Sequence, residues 1–268
     1  MGLDRPLGAQ FVDYIGDSFR GELGISYVFS RPVAEVIGEA IWPTVLLLGI
    51  ATVLATIIGI ALGTWGAWRR GTTRDTSTLG FALVTYAMPE FWLGMLLILG
   101  FAVALGWFPT SFMTTPGLVY VSAGAQFVDT MEHLFLPALT LALALIGEYA
   151  LIMRSSVMEV INEEYVTTAR AKGMREALVL RKHIVPNALL PVVTLAALNL
   201  GFIVSGAITV ETVFSWPGLG LLTFRAINGG PDYPLLQGLF LLFSVAVILA
   251  NLAADLLLGL LDPRIGRA

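Results

Sequence analysis

Five stretches of this chain are too long and too apolar to be covered by any fold in water. They run from Ile41 to Ala67, Leu79 to Phe108, Leu134 to Met153, Ala188 to Val210 and Leu235 to Leu261. A helix of about 20 apolar residues crosses the roughly 30 Å hydrocarbon core of a bilayer. No water is available there to bond backbone N–H and C=O groups, so each stretch is expected to be helical, or to be lined by protein where it is broken. The fold class this predicts is an all-α, polytopic membrane helix bundle. Composition agrees: charged residues make up 13% of the chain, against about 25% in an average soluble domain, and the mean hydropathy is +0.83. A net charge of −4 leaves no basic face for nucleic acid. The absence of cysteine excludes disulfides, thiolate metal sites and cysteine nucleophiles, and two histidines, His133 and His183, are too few for a metal cage.

Lys and Arg concentrate on the cytoplasmic side of membrane proteins. Arg69, Arg70, Arg74, Arg154, Arg170, Lys172, Arg175, Arg181, Lys182, Arg264 and Arg267 fall in two internal loops and the C-terminal tail, while Arg5, Arg20, Arg31 and Arg225 fall elsewhere among acids. The basic set is therefore expected inside, with a cytoplasmic C-terminus. An odd number of spans then puts Met1 outside with nothing like a signal sequence before it. The expectation is a further span ahead of residue 1, an external segment over 1–40, and a transmembrane domain over 41–268. Gly59 and Gly63 suit close helix approach, although glycine is common in membrane helices and the spacing alone favours that plainer reading. Trp42, Trp65, Trp68 and Trp107, near span ends, read as interfacial anchors.

The polar segment from Arg154 to Pro186 reads as two short helices. Asn162 can cap the first, Glu163 and Glu164 suit its positive N-terminal end, Arg170 and Lys172 its negative C-terminal end, and Gly173 stops it. A helix this short is marginal alone in water, so it needs a surface to lean on. Tyr165, Val166 and Ala169 offer a narrow apolar face. Two readings follow from the residues: a helix docking in another protein's groove, or a solvated connection between spans.

The run EYVTTARAKGMREALVLRKHIVPNALLPVVT resembles the cytoplasmic loop of ABC importer permeases in the dipeptide, oligopeptide and nickel branch. Thr167, Thr168, Ala169, Gly173 and Pro186 occupy the positions of that loop's signature, with threonines where the general pattern has glutamate and alanine. GLDRPLGAQFVDYIGDSFRGELGIS, PEFWLG, VETVFSWPGLG, DYPLLQG and LDPRIG are similar to the same branch. The resemblance implies the type I importer permease fold with six spans rather than five. It also implies three kinds of partner besides membrane lipid: a homologous second permease, two cytoplasmic ATPase subunits and an external substrate-binding protein. ATP and Mg are used by the ATPases. This chain has no nucleotide-binding loop, since its lysines, Lys172 and Lys182, precede Gly173 and His183. The expected role is transport, not catalysis, with no cofactor on this chain, in the inner membrane of a prokaryote. Glu164, Tyr165, Thr168, Ala169, Arg170, Ala171, Lys172 and Gly173 are the expected ATPase-coupling residues, Arg170 through a partner carboxylate.

Intramembrane polar groups are candidates for the translocation path. Glu90, Glu148, Asn199 and Ser205 are the weaker expectation of this kind; Asp255 with Asn251, and Glu211, read rather as interhelical bonds or caps. Phe214 and Trp216, in a segment that Pro217, Gly218 and Gly220 keep from continuing as a helix, would either cap the path or anchor in headgroups. The alternative function is an ion-coupled secondary transporter using Glu90 and Glu148, for which the halves show no repeat.

Overall fold

The computed structural model describes residues 6–202, 207–228 and 230–261, and their regular structure is helical, with one isolated bridge between Ile25 and Pro32. In order, the helices are α1 (Leu7–Phe19), α2 (Val33–Trp68), α3 (Thr73–Ala87), α4 (Glu90–Leu97), α5 (Ala123–Val160), α6 (Glu164–Ala171), α7 (Glu176–Val179), α8 (Val185–Ala188), α9 (Leu190–Phe202), α10 (Ile208–Val213), α11 (Leu219–Ile227) and α12 (Tyr233–Leu261). π-helical turns extend α4 through Ile98–Ala104 and join α7 to α8 through Leu180–Ile184.

α2 and α5, with 36 and 38 residues, lie against each other as the spine of the bundle. Lipid gives apolar helices no hydrophobic reason to associate, so small residues that let backbones touch decide the contact. Ala51, Ala55, Gly59 and Gly63 repeat every fourth residue on the buried side of α2. A side chain at Gly59 would strike Tyr149, and one at Gly63 would come within 2.5 Å of the Ala150 carbonyl and 2.7 Å of Met153. The glycine spacing is thus a contact after all. On the next face of α5, Gly147 takes the backbone of Ala82 and the side chain of Thr85 from α3.

Three helices are long and apolar enough to cross alone, and five crossings result if each of two bent pairs counts as one. That matches the five predicted stretches in number but not in shape. The second is not one rod: Pro89 lacks the N–H that would continue the ladder, and α3 meets α4 at 103°. The fourth is not one helix through to Val210, since Ala207 is out of helical conformation and α10 starts at Ile208. α2 starts at Val33, inside the segment expected to be external up to residue 40, because Val33, Val36, Ile37 and Ala40 are buried with Leu219, Leu222, Leu235 and Leu239 from α11 and α12. Outward, Ile57, Val53, Val103 and Ile248 are each more than half exposed, as a lipid-facing surface requires.

Candidate functional site

The end of the bundle that carries the basic loops holds the predicted short helix. α5 ends at Val160, and Asn162 closes it by donating from Nδ2 to the Met158 carbonyl at 2.9 Å. Asn162 therefore does not cap α6 as expected. Glu163 is the capping residue, in extended conformation and without a side-chain bond to the helix. The other end closes as predicted, by a left-handed turn. Gly173 has φ +73, its N–H reaches the Arg170 carbonyl at 2.9 Å, and the Met174 N–H reaches the Ala169 carbonyl at 3.4 Å. This pair of bonds satisfies carbonyls that an eight-residue helix would otherwise leave open.

α6 leans on its own chain. Val166 and Ala169 are buried in one cluster with Ala67 from α2, Met153 and Val157 from α5, and Val179 and Ile184 from the segment that follows. Ala169 thus makes a close approach inward, to its own chain. Glu164, Tyr165, Thr168, Ala171 and Lys172 stay on the exposed side, with Tyr165 40% exposed. Arg170 does use its fork on a carboxylate, but in the same chain: Nε and Nη2 reach the two oxygens of Glu176 at 3.0 and 3.3 Å. Between α6 and the ends of α2 and α5 lies a cleft of about 390 Å³ lined by Trp68, Arg70, Met158, Ile161, Arg170 and Glu176.

A second feature of this end was not found by the sequence reading. Arg154 on α5 donates from Nε and Nη2 to the two carboxylate oxygens of Asp75 on α3, at 2.8 and 3.2 Å, and the Gly71 N–H donates to Asp75 at 3.1 Å. Both side chains are mostly withdrawn from solvent. By sequence Arg154 reads only as a loop charge. The available signal was Asp75 itself, an acid in a helix's first turn just after a basic run.

The path candidates do not form one cluster. Glu90, at the start of α4, accepts from the Thr209 hydroxyl of α10 at 3.0 Å. Asn199 on α9 donates to the buried Tyr149 hydroxyl at 3.0 Å. Glu148 is half-buried on α5. Ser205 lies outside the described residues, as do residues 262–266 of the LDPRIG ending and the side chain of Asp255.

Phe214 and Trp216 are in the protein interior, not in headgroups. The indole N–H of Trp216 donates to the Pro43 carbonyl at 2.8 Å. Glu211 is fully buried and accepts from the Thr44 hydroxyl at 2.8 Å and the Leu221 N–H at 3.0 Å, while Thr44 in turn accepts from the Leu219 N–H at 2.7 Å. Gly218 leaves the space that this carboxylate occupies. The segment is an elbow: α10, a tight turn through Ser215 at φ 49, and α11 locked onto the N-terminal third of α2. His133 is likewise buried, with Nδ1 2.8 Å from the Asp129 carbonyl.

Comparison with known proteins bears on this architecture. A candidate peptide permease protein of Brucella ovis is 41% identical over 269 residues, covering 99% of this chain and 82% of its own length. The glutathione transport system permease protein GsiC of Escherichia coli strain K12 is 41% identical over 265 residues, with 99% and 81% covered. A chain of the inward-facing MetNI methionine ABC transporter shares the fold, with a TM-score of 0.65 at 18% identity over 85% of this chain and 96% of that one. Residues 56–267 match the family model of the inner membrane component of binding-protein-dependent transport systems. Helices, elbow and basic-end loop thus form the scaffold of a multi-pass inner membrane permease, and the chain belongs to the binding-protein-dependent transport system inner membrane components.

Proposed function

We propose that this chain forms half of the translocation path of an ATP-driven importer for peptide-type solutes, and that α6 receives the motion of an ATPase. The observation that carries this reading is the seating of α6. Its inner face sets Val166 and Ala169 into one buried cluster with Ala67 of α2, Met153 and Val157 of α5, and Val179 and Ile184 of the segment that follows, and its outer face presents Tyr165, Thr168, Ala171 and Lys172. A body pressed on that face displaces two long helices together, and the Gly173 turn holds the helix at its angle. Glu164 and Arg170 border the contact, Arg170 stiffening it through Glu176.

Permeases of this family are transport subunits and not enzymes, and they bind no cofactor. In the proposed assembly two ATPase subunits use ATP and Mg on the cytoplasmic side, a second homologous permease completes the path, and an external binding protein delivers the solute. The basic end and the C-terminus face the cytoplasm, in keeping with the positive-inside bias. The relatives' names, one a glutathione and one a peptide permease, support solutes with a peptide backbone. Glu90, Asn199, Glu148 and Ser205 remain the proposed polar groups along the path. Family membership and the relatives give an ion-coupled carrier no support.

The chain contains no cysteine, so a single introduced thiol reports one position. With the companion subunits present in vesicles lacking ion gradients, peptide uptake is expected on adding ATP, and Tyr165→Cys is expected to crosslink to an ATPase subunit. Gradient-driven uptake by the isolated chain, or a Tyr165→Cys variant that never captures an ATPase in an active assembly, overturns the proposal.

A further inference from the structure

We infer that the Asp75–Arg154 ion pair is the joint through which displacement of α6 is passed to the α3–α4 arm and on to the α10–α11 elbow. This rests on the transporter reading above. The inference starts from how α3 is attached. Its inward residues are Asp75, Thr78, Ala82 and Thr85, and three of them lie against glycines of the spine: Thr78 against Gly66 of α2, and Ala82 and Thr85 against Gly147 of α5. Such faces do not interdigitate, so they resist separation without fixing the sliding position of one helix on the other. Among the described residues, the directed bonds between α3 and α5 side chains are the two from Arg154 to Asp75. A planar guanidinium held by both carboxylate oxygens fixes position and orientation together.

The joint is placed where a load would enter. Arg154 directly follows Met153, which shares the buried cluster with Val166 and Ala169 of α6. Asp75 is tied by the Gly71 N–H to the turn leaving α2. At the opposite end of α3 the chain turns through 103° into α4. There Glu90 accepts from Thr209 of α10, and Gly94 packs on Phe214 of the elbow. One rigid helix therefore has the α6 seat at its first turn and the elbow just beyond its last. Asp75 and Arg154 act as positioning residues and are not assigned any contact with solute or nucleotide.

The test uses the full assembly reconstituted in vesicles, with ATP hydrolysis, peptide uptake and the amount of assembled complex measured together. D75N and R154Q are expected to keep hydrolysing ATP while uptake per ATP falls by about tenfold. The double variant is expected to be no worse than either single, because both remove the same bond. R154K keeps the charge but not the two-pronged grip, and D75E keeps the carboxylate; both mild variants are expected to assemble, with R154K showing a several-fold lower uptake per ATP and D75E recovering most of it. Unchanged uptake per ATP in R154K, losses that add in the double variant, or uptake that falls only in step with assembled complex would overturn the joint. A wild-type assembly without ATP-driven uptake overturns the transporter reading and the joint with it, whereas normal wild-type coupling with any of the former results removes the joint alone.

Discussion

Gly63 shows how much one missing side chain decides. Its Cα faces the Ala150 carbonyl and Met153 with no room for a further carbon. Gly63→Leu is therefore expected to destabilise the α2–α5 contact by about 1–3 kcal/mol, read as a lower melting temperature of the purified protein. Gly49→Ala, on the same helix but with nothing within 4 Å, is expected to leave that temperature unchanged or slightly raised. The four-residue glycine spacing was legible in the sequence; its partner was not, because spacing marks a flat face without naming what lies on it. Asp232 is the complementary case, an acid whose worth depends on distant residues. Burial pushes its carboxyl up, but donors from Ser26, Val28, Leu235 and Tyr27 more than reverse this and hold it below the ordinary carboxylate range. A carboxyl lowered by folding contributes stability that is complete above its unfolded value, about 3.9, and is lost as pH falls through the still lower folded one. Thermal melts from pH 6 down toward pH 3 are thus expected to show an acid-side loss of stability that Asp232→Asn reduces.

At the scale of elements, the sequence located helices well and their interruptions poorly. Pro89 announces a break in the ladder but not its 103° angle, and beyond the break Gly94 packs on Phe214, Thr140 and Val213, contacts made with residues far along the chain. The start of α2 was missed for a similar reason: Val33 to Ala40 include polar residues, Glu35 and Glu39, that pair with Arg31 outside while the apolar ones face α11 and α12. The short helix α6 was read correctly at its C-terminal end, where a left-handed glycine is a local requirement. Its cap and the inward turn of Ala169 were not, since both depend on where α2 and α5 end. Gly173 has open space around it but φ +73, so substitution there strains the backbone without a clash. Gly173→Val is expected to cost about 1–2 kcal/mol and to reduce ATP-driven uptake with membrane insertion intact. Gly173→Asn, a side chain that tolerates this conformation, is expected to retain most uptake.

For the whole molecule, orientation is the property most directly checked, and the absence of cysteine makes the measurement clean. A membrane-impermeant maleimide added from outside intact cells is expected to label Val121→Cys, a fully exposed position before α5, and to leave Lys172→Cys unlabelled until the membrane is opened; the reverse pattern would invert the proposed topology. The family, the membrane location and the loop were readable from the sequence because each rests on a continuous run of residues. The elbow and the Asp75–Arg154 bond were not, because each joins residues separated by most of a span or more. α5 connects these regions in one uninterrupted piece. Near its first turns Asp129 accepts from Thr115 and Tyr120 and so organises the loop before it; near its last turns Arg154 grips α3. The two lie about 37 Å apart along one helical rise of 1.5 Å per residue. The helix runs on through Pro137 as one continuous element, and a coupling free energy between its ends is reciprocal, so a contact at Asp129 that biases the grip at Arg154 is itself biased by that grip to the same degree.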